Sequence, residues 1–392
     1  MAKESCEESK KRLGLYIHIP FCLRKCVYCD FLSFPCGNGK DLQPDTAESY
    51  LAALFSELKR AGVQCRDRIV DTVFIGGGTP SVLPVGAVLR LLSCVRESFR
   101  LSDRAEITIE ANPGTVTAEK FAEYRTAGIN RLSLGFQSLD DRILSFLGRV
   151  HTEEQAVLAF REARRAGFDN INVDLIFGLP LPDQEAFRAT VEKVIALSPE
   201  HISAYSLIVE EGTPLCEKID SGELPEPDDR DDREDYAYCR RRLAETGFIH
   251  YEISNFAKPG RECAHNLKYW RQEEYLGVGL GAASFLDGMR FANGDDLGKY
   301  IAYDGNCGTR EKNELSEDEL RKEFMMLGFR MLQGPDFSLF EEKFRLRPEK
   351  CFGEALVRLT GDGFITPLEE KRGFALTEKG LHFANSVFRE FL

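Results

Sequence analysis

The sequence predicts an α/β protein, a partial (β/α)6 barrel of the TIM type followed by a C-terminal α+β module that resembles a winged helix. Between Leu13 and about Val209, β-branched runs alternate with helical patterns punctuated by glycine, which is typical of repeated βα units around a parallel sheet. From Ser316 to Leu392, three helical patterns precede a hairpin-like stretch and a last helix. The 392 residues, 43% of them hydrophobic, suffice for a large core.

Six strands are predicted in the first half, each followed by a helical or irregular segment. The strands are Leu13–Ile19, Ile69–Ile75, Glu106–Glu110, Arg131–Gly135, Asn170–Phe177 and His201–Val209. Helical periodicity fills the gaps at Ala47–Arg60, Val85–Glu97, Ala118–Ala127, Thr152–Ala166 and Gln184–Leu197. Gly128 and Gly167 follow the third and fourth helices, where glycine commonly ends a helix.

The composition divides the chain into three parts. Residues 1–210 form the predicted barrel, and the acidic, proline-bearing run SGELPEPDDRDDRED marks its end. Residues 211–310 are predicted to be a linker and a segment that completes the core, with strand character at Phe248–Asn255. Residues 311–392 are the winged-helix-like domain, with predicted helices at Glu319–Leu332, Ser338–Phe344 and Phe352–Leu359.

The net charge and the character of the N-terminus limit the classes of function that the sequence allows. A net charge of −13 argues against a protein that wraps nucleic acid. The stretch Ser316–Leu392 has fourteen acidic and twelve basic side chains and lacks the basic stripe of a DNA-binding domain, so the C-terminal module is interpreted as a lid or partner surface. The charged N-terminus resembles no secretory signal, and no transmembrane segment is predicted. We expect a cytoplasmic protein, with most remaining cysteines as reduced thiols.

Three cysteines follow the first predicted strand in the run HIPFCLRKCVYCDF. Thiolates at Cys22, Cys26 and Cys29 can hold three corners of a [4Fe–4S] cluster and leave the fourth iron open. The alternative is a structural zinc loop, which normally requires a fourth ligand nearby. His18 lies on the predicted strand and is a poor fourth ligand, whereas Cys36 can join in principle.

Other distinctive residues fall at the carboxyl ends of predicted strands. The run Gly76–Thr79 follows the second strand, and Glu110, Gln137 and Asp174 end later ones. That face of a β/α barrel carries the active site, although ordinary turn chemistry explains any one of these residues alone. An open iron can chelate S-adenosylmethionine (SAM). The glycines would let backbone N–H groups approach its carboxylate, and Glu110 would accept its ribose hydroxyls.

The motifs together resemble the radical SAM superfamily. Five motifs of this chain resemble those of the coproporphyrinogen-oxidase-like branch of that superfamily: YIHIPFC, FIGGGTPS, GFQSL, LGR-x-H and NVDLIFGLP. The resemblance covers nearly the whole chain. It implies that Tyr16, Gly77 and Glu110 contact the cluster-bound SAM. It also implies a second SAM site, made by Gly78, Thr79, Gln137, Arg149 and Asp174. Arg149 and Asp174 can equally be a structural ion pair between two strands.

A second motif separates two functions within this branch. The run from His265 to Trp270 matches the HNxxYW signature of the HemW-like heme chaperones, so His265, Asn266, Tyr269 and Trp270 are candidate heme contacts. His265 is the leading axial ligand, and Cys263 is its rival. A buried aromatic cluster with a satisfied histidine is the structural alternative.

The resemblance therefore predicts a heme chaperone that binds a [4Fe–4S] cluster, SAM and heme and transfers heme to an acceptor, such as a respiratory hemoprotein. A low-potential donor such as flavodoxin or ferredoxin would reduce the cluster. The alternatives are an oxygen-independent coproporphyrinogen III oxidase of porphyrin metabolism or another radical SAM tetrapyrrole enzyme. Oxidases of this kind carry a further cysteine where this chain has Phe31, and a longer N-terminal arm than the fifteen residues before Tyr16, so oxidase activity is not expected.

Overall fold

A computed structural model describes residues 11–36, 43–181, 184–368 and 372–392. It is built around a 12-stranded sheet whose central strands are parallel and whose outer strands on both sides are antiparallel. The sheet is open, so the predicted partial barrel is confirmed.

The six predicted strands form and pair in chain order, all parallel. Strand β1 (Arg12–Ile19) leads into two short strands, β2 (Phe21–Cys22) and β3 (Phe34–Pro35). The other five are β4 (Ile69–Gly77), β5 (Leu101–Ala111), β6 (Arg131–Gln137), β7 (Ile171–Phe177) and β8 (His201–Ser206). Their order in the sheet is β1-β4-β5-β6-β7-β8. Strand β1 is buried along almost its whole length because other elements cover both faces of a parallel sheet.

Helices connect these strands close to the predicted places. They are α1 (Pro44–Gln64), α2 (Ala87–Ser98), α3 (Ala118–Ala127), α4 (Asp141–Phe146), α5 (Glu153–Arg165) and α6 (Gln184–Leu197). Helix α5 begins with a capping box of Thr152 and Gln155, which satisfies backbone donors at its first turn. Gly128 and Gly167 have φ values of 92° and 90°, as expected for residues that end helices.

The segment after the barrel returns to the sheet and adds strands on both sides of it, most of which the sequence did not reveal. It contains α7 (Pro214–Asp220), α8 (Asp229–Glu245), β9 (Ile249–Glu252), β10 (Asn255–Ala257), α9 (Ala264–Trp270), β11 (Tyr275–Val278), β12 (Ala283–Leu286), β13 (Met289–Asn293), α10 (Leu297–Ala302) and β14 (Thr309–Glu314). Strand β11 pairs parallel with the free side of β1. Phe248–Asn255 has the predicted strand character, which the structure divides between β9 and the start of β10, an antiparallel pair.

The C-terminal module has its own core. Its elements are α11 (Glu317–Gly328), α12 (Phe337–Phe344), α13 (Pro348–Gly361), β15 (Ile365–Pro367), β16 (Phe374–Leu376), α14 (Glu378–His382) and α15 (Ala384–Arg389). Phenylalanines dominate the core, which is separate from that of the barrel. A bridge between Glu252 and Met331 joins the module to β9. The domain limits at 210 and 310 stay a prediction.

Candidate functional site

The three predicted cysteine ligands lie on a loop that is closed at its base. Strands β2 and β3 pair with each other, and the N–H of Cys36 donates to the carbonyl oxygen of Cys22 over 2.7 Å. The ends of the loop are therefore fixed, while Cys22, Cys26 and Cys29 remain half-buried between them.

A histidine on β1 supports this loop from below. His18 Nε2 lies 2.9 Å from the carbonyl oxygen of Leu32, and its Nδ1 lies 3.0 Å from the hydroxyl of Tyr16. Burial lowers the pKa of His18, so the neutral ring donates to Leu32 and accepts from Tyr16. Both ring nitrogens are occupied, which agrees with the expectation that His18 is a poor metal ligand.

The loop forms one wall of a cavity of about 450 Å³ at the carboxyl ends of the parallel strands. Most of the predicted cofactor residues line it: Cys22, Cys26, Cys29, Gly77, Gly78, Thr79, Glu110, Gln137, Arg149 and Asp174. Tyr16 is not in this lining, because its side chain lies deeper in the barrel, bonded to His18. The convergence of ten residues from separate strands and loops agrees with the location of active sites in β/α folds.

The thiols have polar neighbours inside the cavity. Cys22 Sγ lies 3.4 Å from the Thr79 hydroxyl, and Arg149 donates to Cys26 Sγ over 3.5 Å. Burial raises the pKa of Cys29 to about 11. Within the described ranges, no three His, Cys, Asp or Glu side chains are grouped as ligands of a metal ion. The cluster assignment therefore stays a prediction that rests on the loop, its spacing and the cavity.

The glycine run at the end of β4 is packed too tightly for any side chain. A Cβ atom on Gly76 would lie 2.8 Å from Glu110 Oε2, and one on Gly78 would lie 2.7 Å from the carbonyl oxygen of Phe21. Gly77 has a φ of 114°, and a Cβ there would lie 2.6 Å from the His18 ring. The N–H of Gly77 donates to Glu110 Oε2 over 3.2 Å, so a ligand carboxylate would have to replace that bond.

Two half-buried carboxyl groups, Glu110 and Asp174, line the cavity. Burial raises the pKa of Glu110 to about 8, and the nearby Asp174 adds to the shift. Burial also raises the pKa of Asp174, which accepts hydrogen bonds from Ser133 Oγ at 3.0 Å and Asn172 Nδ2 at 2.7 Å. Burial therefore disfavours the charged form of both carboxyl groups, and a cationic ligand in the cavity would favour it.

Arg149 and Asp174 do not form the ion pair considered as an alternative. Arg149 donates to the carbonyl oxygen of Gly135 over 2.7 Å as well as to Cys26, and no ion pair joins it to Asp174 in the part of the chain that is described. Gln137 ends β6 with a φ of 66°, a conformation that costs a non-glycine residue roughly 1–3 kcal/mol. Such strain is concentrated at functional sites.

The candidate heme residues lie elsewhere, on α9 below the barrel interior. His265 is 1% exposed; its Nδ1 is 2.8 Å from the Thr72 hydroxyl, and its Nε2 is 2.9 Å from the Tyr269 hydroxyl. Its ring stacks on Phe74, and burial lowers its pKa to about 3. In this conformation neither ring nitrogen is free to bind iron. Asn266, Tyr269 and Trp270 are half-buried, and no residue of this motif lines the cavity.

Sequence reasoning missed the polar residues that hold α9. Glu106 accepts from the N–H groups of Ala264 and His265, each over 3.0 Å, and therefore caps the helix. Further buried polar side chains point into the barrel from the other strands: Thr72, Arg131, Ser133, Asn172, His201 and Ser203. A signal existed, because polar residues at alternate positions of otherwise apolar parallel strands indicate a polar interior.

A partial parallel barrel with three cysteines on the loop after its first strand is the architecture of radical SAM proteins. The Radical SAM superfamily model matches residues 16–194, and the HemN C-terminal domain model matches residues 315–383. Proteins named heme chaperone HemW from Lactococcus lactis, Bacillus subtilis and Escherichia coli are 35%, 36% and 35% identical to this chain. They cover 98%, 96% and 97% of it, over 98% of their own lengths. The chain therefore belongs to the HemW family within the radical SAM superfamily.

A solved structure extends the comparison to the whole fold. Coproporphyrinogen III oxidase (HemN) from Escherichia coli, described as a radical SAM enzyme, superposes with a TM-score of 0.84 at 26% identity. The match covers 97% of this chain and 90% of the oxidase. Among the described residues, no helix combines the length and the apolar character needed to cross a membrane.

Proposed function

We propose that this protein is a heme chaperone that binds a [4Fe–4S] cluster, SAM and heme and passes heme to an acceptor hemoprotein. The observation that carries the proposal is the cavity in which Cys22, Cys26 and Cys29 face Glu110 and Asp174. The full-length relatives named heme chaperone HemW support the heme-transfer part. We further propose a cytoplasmic location, a respiratory acceptor and a flavodoxin or ferredoxin as electron donor.

The residues of the cavity fit the proposed cofactors. Three thiols on a loop with fixed ends suit a cluster with one open iron. Glu110 and Asp174 are half-buried carboxyl groups with raised pKa values, and SAM brings the positive charge of its sulfonium and amino groups. When bound, the cluster supplies an open iron and a low-potential electron. The protein orients SAM through Glu110 and Asp174, and the Cys26 thiol through Arg149.

We propose the segment from His265 to Trp270 as the heme site, with His265 as axial ligand. Heme ligation requires that His265 release Thr72 and Tyr269, and therefore that α9 move from its position below the barrel. His265→Ala is expected to shift the heme absorption spectrum and weaken binding. Trp270→Ala should weaken binding and keep the ligation spectrum, because an aromatic face contributes packing worth about 0.5–1.5 kcal/mol. Anaerobic heme titration followed by absorption measures both.

The matched control is His250→Ala. The His250 Nε2–H donates to the carbonyl oxygen of Ile253 over 3.1 Å, and the ring stacks on Phe256, but His250 lies outside α9. It should titrate with heme as the parent does. If His265→Ala and Trp270→Ala also titrate like the parent, the segment is a packed aromatic cluster and heme binds elsewhere. If the parent takes up no heme, the proposed function is wrong.

The alternative function is that of the oxidase, which the TM-score of 0.84 to HemN favours. Against it stands Phe31, where the oxidases carry a further cysteine; its side chain is 63% exposed at the cavity. We therefore expect no multiple-turnover decarboxylation of coproporphyrinogen III. Reconstituted protein would be incubated anaerobically with SAM and a low-potential reductant, and tetrapyrroles would be measured by mass spectrometry. Accumulation of protoporphyrinogen would show that the protein is an oxidase.

A further inference from the structure

A continuous chain of hydrogen bonds connects the cofactor cavity to the start of α9. Asn172 Nδ2 lies 2.7 Å from Asp174 Oδ1, and His201 Nδ1 lies 2.6 Å from Asn172 Oδ1. His201 Nε2 lies 2.8 Å from the Tyr251 hydroxyl, which is 3.2 Å from the backbone nitrogen of Cys263. Asn172 is 2% exposed and His201 is fully buried. The middle of the chain, at Asn172 and His201, is therefore shielded from water, and Tyr251 is half-buried.

The surroundings fix the direction of every bond. Asn172 Nδ2 also donates to Ser133 Oγ over 2.8 Å, and Ser203 Oγ donates to Asn172 Oδ1 over 3.1 Å, so the amide orientation is set. His201 must then carry its proton on Nδ1. Burial and the Arg131 guanidinium hold the pKa of His201 well below its usual value, so Nε2 accepts from the Tyr251 hydroxyl. The phenolic oxygen in turn accepts from the N–H of Cys263.

All donors in the chain therefore point toward the Asp174 carboxylate. In a low-dielectric interior, such bonds polarise one another, and a change of charge at one end alters the strength of the bonds along the row. The far end is the residue that precedes α9, a helix also held by Glu106 and by His265. A ligand that neutralises Asp174 thus weakens a row of bonds that ends at this helix.

Helix α9 also contacts the C-terminal module. The Arg330 guanidinium lies 4.3 Å from the centre of the Trp270 ring, and Gln272, two residues after the helix, donates to the carbonyl oxygen of Leu320 over 3.0 Å. The Trp270 indole N–H is buried without a hydrogen-bond partner among the described residues. Trp270 is the only tryptophan in the sequence, so its emission reports on α9 alone.

We infer that Tyr251 and His201 are positioning residues that couple occupancy of the cavity at Asp174 to the placement of α9. This inference rests on the proposed binding of SAM in the cavity, and it adds a regulatory link from that site to the helix with the HNxxYW motif. Neither residue touches the cavity, since neither lies in its lining. Their action is exerted through Asn172 on one side and Cys263 on the other.

The test follows Trp270 emission while SAM is added to the reconstituted full chain under anaerobic conditions. SAM binding is measured separately by equilibrium dialysis. Tyr251→Phe removes one hydroxyl and keeps the ring, and Tyr236→Phe is the matched control, because the Tyr236 hydroxyl donates to the Ile253 carbonyl outside the chain. His201→Phe breaks a second link. Thermal melting of each variant confirms that it is folded.

The parent and Tyr236→Phe should show a change in Trp270 emission at SAM saturation. In Tyr251→Phe and His201→Phe that change should fall to less than half, while SAM affinity stays within threefold. If Tyr251→Phe and His201→Phe both keep the full emission change, the coupling is wrong. It is also wrong if the parent binds SAM and its Trp270 emission does not change. A parent that retains no SAM in dialysis would contradict the proposed function as well, and the dialysis separates the two failures.

Discussion

Replacing Cys26 by alanine is expected to abolish the iron–sulfur cluster. Three thiols on the loop between β2 and β3 are the ligands of the proposed cluster, and alanine offers no replacement. Acid-labile sulfide and iron should fall from about four each per chain to near zero after anaerobic reconstitution. The absorption of the cluster should disappear with them, and SAM binding should weaken because its chelating iron is gone.

Cys36→Ala is the matched control for this result. Cys36 closes the same loop and is buried, and it is the nearby thiol that a zinc loop would recruit. If the loop holds a three-cysteine cluster, Cys36→Ala should keep full iron and sulfide content. Stoichiometric zinc without sulfide in the parent, or an intact cluster in Cys26→Ala, would show that the assignment is wrong.

The second large effect is expected at Glu110. Glu110→Ala should weaken SAM binding by about 1.5–3 kcal/mol, roughly ten- to 150-fold, since a charged acceptor of hydrogen bonds is lost. Calorimetric titration of cluster-loaded protein measures the difference. Glu192→Ala removes a carboxylate that pairs with Arg242 outside the cavity, and its SAM affinity should equal that of the parent. Unchanged affinity in Glu110→Ala would remove Glu110 from the SAM site.

The pH dependence of SAM binding provides an independent check on Glu110. Its pKa of about 8 in the free cavity means that the group is largely protonated at pH 7. Hydrogen bonds from the ribose favour the carboxylate, so binding releases a proton, and affinity should rise between pH 6 and pH 9. Glu110→Ala should flatten this rise. A parent affinity that falls over the same interval would contradict the proposed role.

The barrel could be predicted because the patterns that specify its strands and helices lie within short stretches of sequence. Alternating strand and helix patterns located β1 and β4 to β8, and cysteine spacing located the loop. Strand β11 escaped prediction because Tyr275–Val278 is four residues long and contains glycine, so nothing local distinguishes it from a turn. Only its pairing with β1, distant in sequence, makes it a strand.

The candidate heme motif shows the limit of such reasoning. A histidine with Tyr and Trp nearby predicts an exposed porphyrin platform and a buried aromatic cluster equally well. The bond between His265 and Thr72 joins residues 193 positions apart, and Phe74 stacks on the same ring. Contacts between residues so far apart in sequence form only when the chain folds, and local residue spacing does not predict them. The same holds for Glu106, which caps α9 across 159 residues.

The position of β1 has a consequence for biosynthesis. Strand β1 carries the cysteine loop at its end, yet one of its two edges is covered only by β11. During translation that edge stays unpaired until Tyr275–Val278 has left the ribosome, because the N-terminal part is made first. An unpaired apolar edge is prone to aggregate. A nascent chain that stops before β11 therefore exposes the strand that supports the proposed cluster ligands, so we expect cluster loading to follow, and not precede, synthesis of the second half of the chain.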